Sequence, residues 1–363
     1  MQGLCLNPDA AQGKPFVPSV ARFGYSSGVS AIRFWFGLAL AALAAGRLSA
    51  AGSVAETTAA PDTAATAAAD RVERAFQALI ADDDAAQAEV DRWIQETKTD
   101  DGQGPDLSGV TLKARIEQRL EPVRRAYERF LQGHPDHVRA RLAFGSFLND
   151  ISLDDEALVQ WKKARDLDPN NPAAWNNLAD YYSRHGPTRL AFECLDEAIR
   201  IKPSEAVYHR NLATLVFLYR NEARVHYRLA DEQQVLRRTL ELYQKARRFD
   251  PNNFPLATDL AQVYYYLKPE KVEDPAGLKA AGDKLTDEAL RAWLDARALA
   301  RTDLDREGVA VHLARVCLRA GRLDQARQYL AEIKNSSLAA GKEALEQTLQ
   351  KLEKGEPVPL SEI

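Results

Sequence analysis

The chain has 363 residues, and its 48 Lys and Arg against 52 Asp and Glu leave a net charge of −4 at pH 7. That balance excludes the broad basic field that non-specific nucleic-acid binding needs. A 45% hydrophobic and 28% charged composition is ordinary for a folded soluble protein, with charged residues of both signs interleaved as solvated helix faces.

The first element is an apolar run, Phe34–Gly46, preceded by Arg22 and Arg33 and followed by Leu48-Ser49-Ala50-Ala51. A charged region, a short apolar core and a small-residue exit are the ingredients of a secretory signal. As a helix the run covers about 20 Å, short of the roughly 30 Å hydrocarbon core. Residues 1–51 are therefore expected to export the chain, periplasmic or secreted, with an inner-membrane anchor through residues 34–46 as the alternative. Cleavage there would remove Lys14, Arg22, Arg33 and Arg47 with only Asp9, so the mature chain is more acidic still. It would have no stable membrane insertion and little affinity for anionic lipid or nucleic acid.

Residues 52–69 are an Ala/Thr-rich linker without an apolar stripe. Residues 70–111 form a helical lead-in and loop, with Val72, Phe76, Leu79 and Ile80, then Val90, Trp93 and Ile94 at helical spacing. Asp82-Asp83-Asp84 interrupts the stripe and suits a helix start, so two short helices compete with one long one. From Leu112 to Gln132 a helix resumes with Ile116, Leu120, Val123, Tyr127, Phe130 and Leu131 on one side. Nothing alternates like a strand for long enough to build a sheet. The fold class is all-α.

Pro135, Pro169 and Pro203 stand 34 residues apart, and Ala157/Ala191 and Ala164/Ala198 keep the same interval. A fixed period of this length means one supersecondary unit used repeatedly, hence a stack in which neighbours contact neighbours. With Pro172 as position 1, Trp175 falls at 4, Leu178 at 7, Ala179 at 8, Tyr182 at 11, Gly186 at 15, Ala191 at 20, Leu195 at 24, Ala198 at 27 and Pro203 at 32. This pattern resembles the tetratricopeptide repeat (TPR). Small residues at 8, 20 and 27 mark close helix approaches, and proline at 32 ends the second helix.

The resemblance implies a right-handed α-solenoid of helix-turn-helix units over residues 112–334. It divides into a divergent half repeat, 112–137, and repeats near 138–171, 172–205, 206–253, 254–303 and 304–334, with a capping helix and tail in 335–363. The third unit is longer than the period, which predicts an extended hairpin, Ala206–Arg228 against Gln233–Phe249, projecting past the stack. The fourth carries an insertion from Lys268 to about Lys284.

No metal-site spacing, phosphate loop or nucleophile elbow occurs, and neither a metal nor a cofactor is implied. His134 and His137 flank Pro135 at what reads as a solvated turn, and His209 at position 4 reads as a packed histidine. Cys194 and Cys317 read as buried small hydrophobes in different repeats.

The resemblance also implies ligands along the concave face lined by first helices, where positions 5, 9 and 12 form rows. These are Leu142, Asn176, Arg210 and Thr258; Ser146, Asp180, Thr214 and Gln262; and Asn149, Ser183, Phe217 and Tyr265. The candidate partner-binding residues are Asn176, Asn177, Asp180, Arg210, Asn211, Thr214, Gln262 and Tyr265. Their polarity is not demanded by packing, so replacing Asn176 and Arg210 should leave the stack intact. The function expected is a non-enzymatic scaffold for a protein or peptide partner. The alternatives are an envelope-assembly or glycan-processing accessory factor, or an enzyme with a site at the insertions.

Overall fold

A computed structural model describes residues 63–99 and 109–359, all within one compact unit spanning 56–363. The apolar run 34–46 and most of the Ala/Thr tract lie outside the described residues, as does the Gly/Pro loop at 100–108. The described residues form 14 α-helices and no strand.

The lead-in is two helices, α1 (Thr63–Thr99) and α2 (Gly109–Gly133). Helix α1 runs unbroken through the three aspartates, which settles the choice between one helix and two. Partners on α2 hold those acids in place. The Tyr127 hydroxyl donates to Asp83 at 2.6 Å, and Arg119 bridges Asp82 at 3.4 Å and Glu89 at 2.9 Å. Phe76, Leu79, Val90 and Trp93 meet Leu120, Val123 and Tyr127 in the buried seam.

Hairpins then follow one another: α3 (Val138–Asp150) with α4 (Asp154–Leu167), and α5 (Pro172–His185) with α6 (Thr188–Ile201). The third pairs α7 (Ala206–Leu218) with α9 (Glu232–Phe249) across a short α8 (Arg220–His226). The last two are α10 (Phe254–Val263) with α11 (Pro275–Leu299), and α12 (Asp303–Arg319) with α13 (Leu323–Glu332). Each second helix also packs on the first helix of the next unit, which makes an all-α solenoid. Helix α14 (Ala339–Glu353) closes the stack on α12 and α13, burying Leu345, Thr348 and Leu349.

The repeat positions behave as their chemistry requires. Gly145, Ala179, Ala213, Ala261 and Ala314 at position 8 are all buried. A Cβ built on Gly145 would lie 2.3 Å from Trp161 Nε1, so only hydrogen fits. Ala157, Ala164, Ala191 and Ala198 are all fully buried. Asn171 and Asn253, ending the two Asp-Pro-Asn-Asn turns, cap α5 and α10 by accepting the amides of Ala173 and Leu256. Arg141 and Trp175 at position 4 donate to the carbonyls of Pro135 and Pro169, at 2.7 and 2.8 Å.

Two expectations are corrected, those for the third hairpin and for His137. The long third hairpin does not project past the stack: α7 ends at Leu218, the chain turns at Tyr219, and α8 lies back against α6. Buried Ala223, Phe192 stacked beside His226 and Tyr227, and the Tyr227 hydroxyl donating to Asp196 at 3.0 Å hold it there. The fourth-unit insertion is part loop, ending at the cap Asp274, and part extra turns at the start of α11. His137 is not a solvated turn residue. It accepts the Ala140 amide as the cap of α3, and its ring packs 4.8 Å from Phe76 and 5.1 Å from Phe130.

Candidate partner-binding face

The first helices α3, α5, α7, α10 and α12 are tied sideways by polar side chains, which makes one continuous face. Asn211 on α7 donates its amide to Asn176 on α5 at 2.8 Å. Arg210 on α7 donates through Nε and Nη2 to Asp259 on α10, at 3.1 and 2.8 Å. Both contacts join position 5 of one unit to position 6 of the next. The Tyr219 hydroxyl donates to Ser183 O at 2.7 Å, and the Tyr265 hydroxyl lies 3.0 Å from His312 Nδ1 on α12.

These ties change the standing of the sequence-selected residues. Asn176 is only 2% exposed, and the Arg210 side chain 15%, so the polarity of both serves packing between units. The expectation that this pair could be replaced without cost to the stack is therefore corrected. Thr214 shares a 2.8 Å hydrogen bond with the buried Tyr243 hydroxyl across its own hairpin. Asp180 is held by Arg184, at 2.6 Å, and the same guanidinium reaches Asp154 at 3.0 Å. Asn177 and Gln262 are half-buried on the same face.

Burial governs the electrostatics. It raises the carboxyl pKa of Asp259 and Asp180 above the ordinary range, opposed by Arg210 and Arg184 respectively. His312 stacks on Trp293 with centroids 4.1 Å apart, and burial pushes its pKa down to about 3, helped by the Arg315 charge. That imidazole is neutral at physiological pH. Burial also lifts the Cys194 and Cys317 thiols, to about 12 and about 11, which removes their thiolate reactivity.

At the α10–α12 end the position-12 row already holds Phe217 and Tyr265, while Tyr266, Arg220, Arg315 and Arg319 were passed over by sequence inspection. Tyr265 packs its ring against Trp293 and His312, and beside it Phe217 and Tyr266 meet edge to face at 5.2 Å. Arg220 lies 5.2 Å from both of those rings, and Arg319 lies 5.7 Å from Tyr265. Extending the position-9 row by one unit reaches Arg315. The insertion before α11 breaks the period and hides that register.

On the second-helix side, a groove of about 660 Å³ runs between α9 and α11 over Leu260 and Tyr264. Arg247, Arg248 and Arg291 line it together with Glu288 and Asp295, the latter 3.6 Å from Arg247. No group of His, Cys, Asp and Glu among the described residues is arranged to hold a metal ion. No helix among them is long and apolar enough to cross a membrane.

No protein-family model matches the chain, and no curated protein matches it. Solved structures do. PilF of Pseudomonas aeruginosa is 14% identical, over 77% of this chain and 100% of that one, with a TM-score of 0.44. A TPR repeat-containing protein of Cytophaga hutchinsonii is 11% identical, over 74% and 98%, at 0.45. YrrB, described as a TPR protein with an unusual peptide-binding site, is 12% identical, over 63% and 98%, at 0.44.

Proposed function

Taking the chain as a tetratricopeptide-repeat protein, on its own repeat residues and hairpin packing, we propose that it is a non-enzymatic scaffold for a protein partner. An extended segment of that partner lies along the face built by α3, α5, α7, α10 and α12. The lateral tying of these five helices carries the reading. It makes their half-buried side chains, Asn177, Asp180, Gln262 and Tyr265 among them, into rows on one surface rather than on separate helices. Rows of this kind suit an extended peptide, whose backbone needs donors and acceptors at regular intervals. The chemistry of the face is that of binding: its carboxylates are engaged by arginines and its buried histidine is neutral.

Site-specific photo-crosslinking tests this. A photoreactive residue at Asn177 or Gln262 should capture the partner, and one at exposed Lys245 on α9 should not. Capture from Lys245 alone would move the site to the second-helix side.

We further propose, on the apolar run Phe34–Gly46 and the residues flanking it, that the scaffold is exported from the cytoplasm of a bacterium. A reporter fused after residues 1–60 should leave the cytoplasm, and retention there would refute export.

A further inference from the structure

Along most of the first-helix face, charge is matched within the chain. Asp180 and Asp154 share Arg184, Arg210 holds Asp259, and Arg220 reaches Glu232 at 3.2 Å. Other arginines at the C-terminal end are matched too: Arg322 with Asp287 at 2.7 Å, Arg306 with Asp303 and Arg327 with Glu353, both at 2.5 Å.

Arg315 and Arg319 have no such match. They stand four residues apart on α12, both half-buried, and no carboxylate among the described residues is within ion-pair reach of either. Like charges at this spacing repel, and partial burial strengthens the repulsion. Arg319 donates to the Tyr265 carbonyl at 3.4 Å, and its guanidinium lies 5.7 Å from the Tyr265 ring. Arg315 Nε is buried without a partner. None of these contacts supplies a carboxylate to either guanidinium.

Resting on the scaffold reading, we infer that this end of the face receives an acidic stretch of the extended partner segment. Its carboxylates engage Arg315 and Arg319, and its neighbouring apolar or aromatic side chains lie on Tyr266 and Phe217. The guanidinium fork matches a carboxylate with two parallel hydrogen bonds, and the aromatic rings supply apolar area beside it. The chain as a whole is acidic, at −4, so it repels an acidic segment elsewhere. The arginine pair then decides which end of the face the acids occupy and in which direction the partner runs.

The test uses the full chain and three short labelled peptides, alternating Leu with Glu, Gln or Lys, read by fluorescence anisotropy. The Glu peptide should bind most tightly, and its affinity should fall as salt rises from about 0.05 to about 0.5 M. Arg315→Gln with Arg319→Gln should weaken it about tenfold or more while leaving the Gln peptide unchanged. Arg315→Lys with Arg319→Lys should retain much of the binding, and both double variants should melt as cooperatively as the parent. Equal binding of all three peptides, or Glu-peptide binding indifferent to the Gln substitutions, overturns this inference and leaves the scaffold reading standing. Failure of every peptide to bind, with no partner crosslinked from Gln262, overturns both.

Discussion

The Nε2 of His209 lies 2.7 Å from the carbonyl oxygen of Pro203, six residues earlier at the inter-repeat turn. A carbonyl only accepts, so Nε2 carries the proton. Nδ1 is then a buried acceptor, and it has no partner. The same bond recurs from Arg141 to Pro135 and from Trp175 to Pro169, so position 4 is defined by a donor as much as by bulk. Arg306 reaches Ala300 O in like manner before α12, at 3.3 Å.

His209→Phe keeps the ring but removes the donor, leaving the Pro203 carbonyl poorly satisfied. It should lower stability by about 1–2 kcal/mol in denaturant unfolding. His209→Trp, the residue that the preceding unit uses, should lose less. Equal loss from both would mean that ring shape alone matters at this position.

Gly145→Ala places a methyl against Trp161 and should cost about 1–3 kcal/mol by overpacking. Because the clash has one partner, Trp161→Leu should relieve it, the next unit carrying Leu195 at that position. The double variant should therefore be more stable than the sum of the two singles predicts. Additive losses in thermal melts would show that Gly145 is needed for another reason.

Ser152, Gly186 and Gly321 have φ of 63°, 69° and 70°, and each stands at position 15, where the first helix of a unit ends. That left-handed conformation is strained for an L side chain and free for glycine. Ser152→Gly should raise stability by about 0.5–1 kcal/mol, the relief being partly offset by unfolded-chain entropy. Gly186→Ala should lower it. A melting temperature that falls for Ser152→Gly would count against the conformation.

Arg210→Ala strands the half-buried Asp259 carboxylate and should destabilise the stack by about 1–3 kcal/mol. Replacing both residues by alanine should cost less than this single change, as unfolding of the double variant would show. For pH, burial raises the folded-state pKa of Asp259, so the folded chain holds that proton to higher pH than the unfolded chain does. Its contribution to stability is thus lost as pH rises from the ordinary carboxylate range to the raised value. Asp259→Asn should flatten that part of the stability–pH curve, whatever it does to the absolute stability. An unchanged slope would mean that the decline belongs to other carboxyls, with Asp180 the first to examine.

The period of Pro135, Pro169 and Pro203, the small residues at close approaches and the Asp-Pro-Asn-Asn turns are local facts. Each is set by what one residue does to its own backbone or to a helix already its neighbour in sequence. The sequence by itself therefore determined the hairpins and their stacking. The pairing of Asn176 with Asn211 and of Arg210 with Asp259 depends on how far one unit rotates on the next, and no residue count carries that rotation. The folding back of α8 on α6 and the unbroken course of α1 through its aspartates likewise depend on distant partners, Asp196 and Tyr127. The tertiary structure alone decided which polar side chains of the face are consumed between units and which charges, those of Arg315 and Arg319 among them, are left without a carboxylate. Whether a polar group is satisfied depends on what lies within about 3 Å of it in space, and these partners come from other helices.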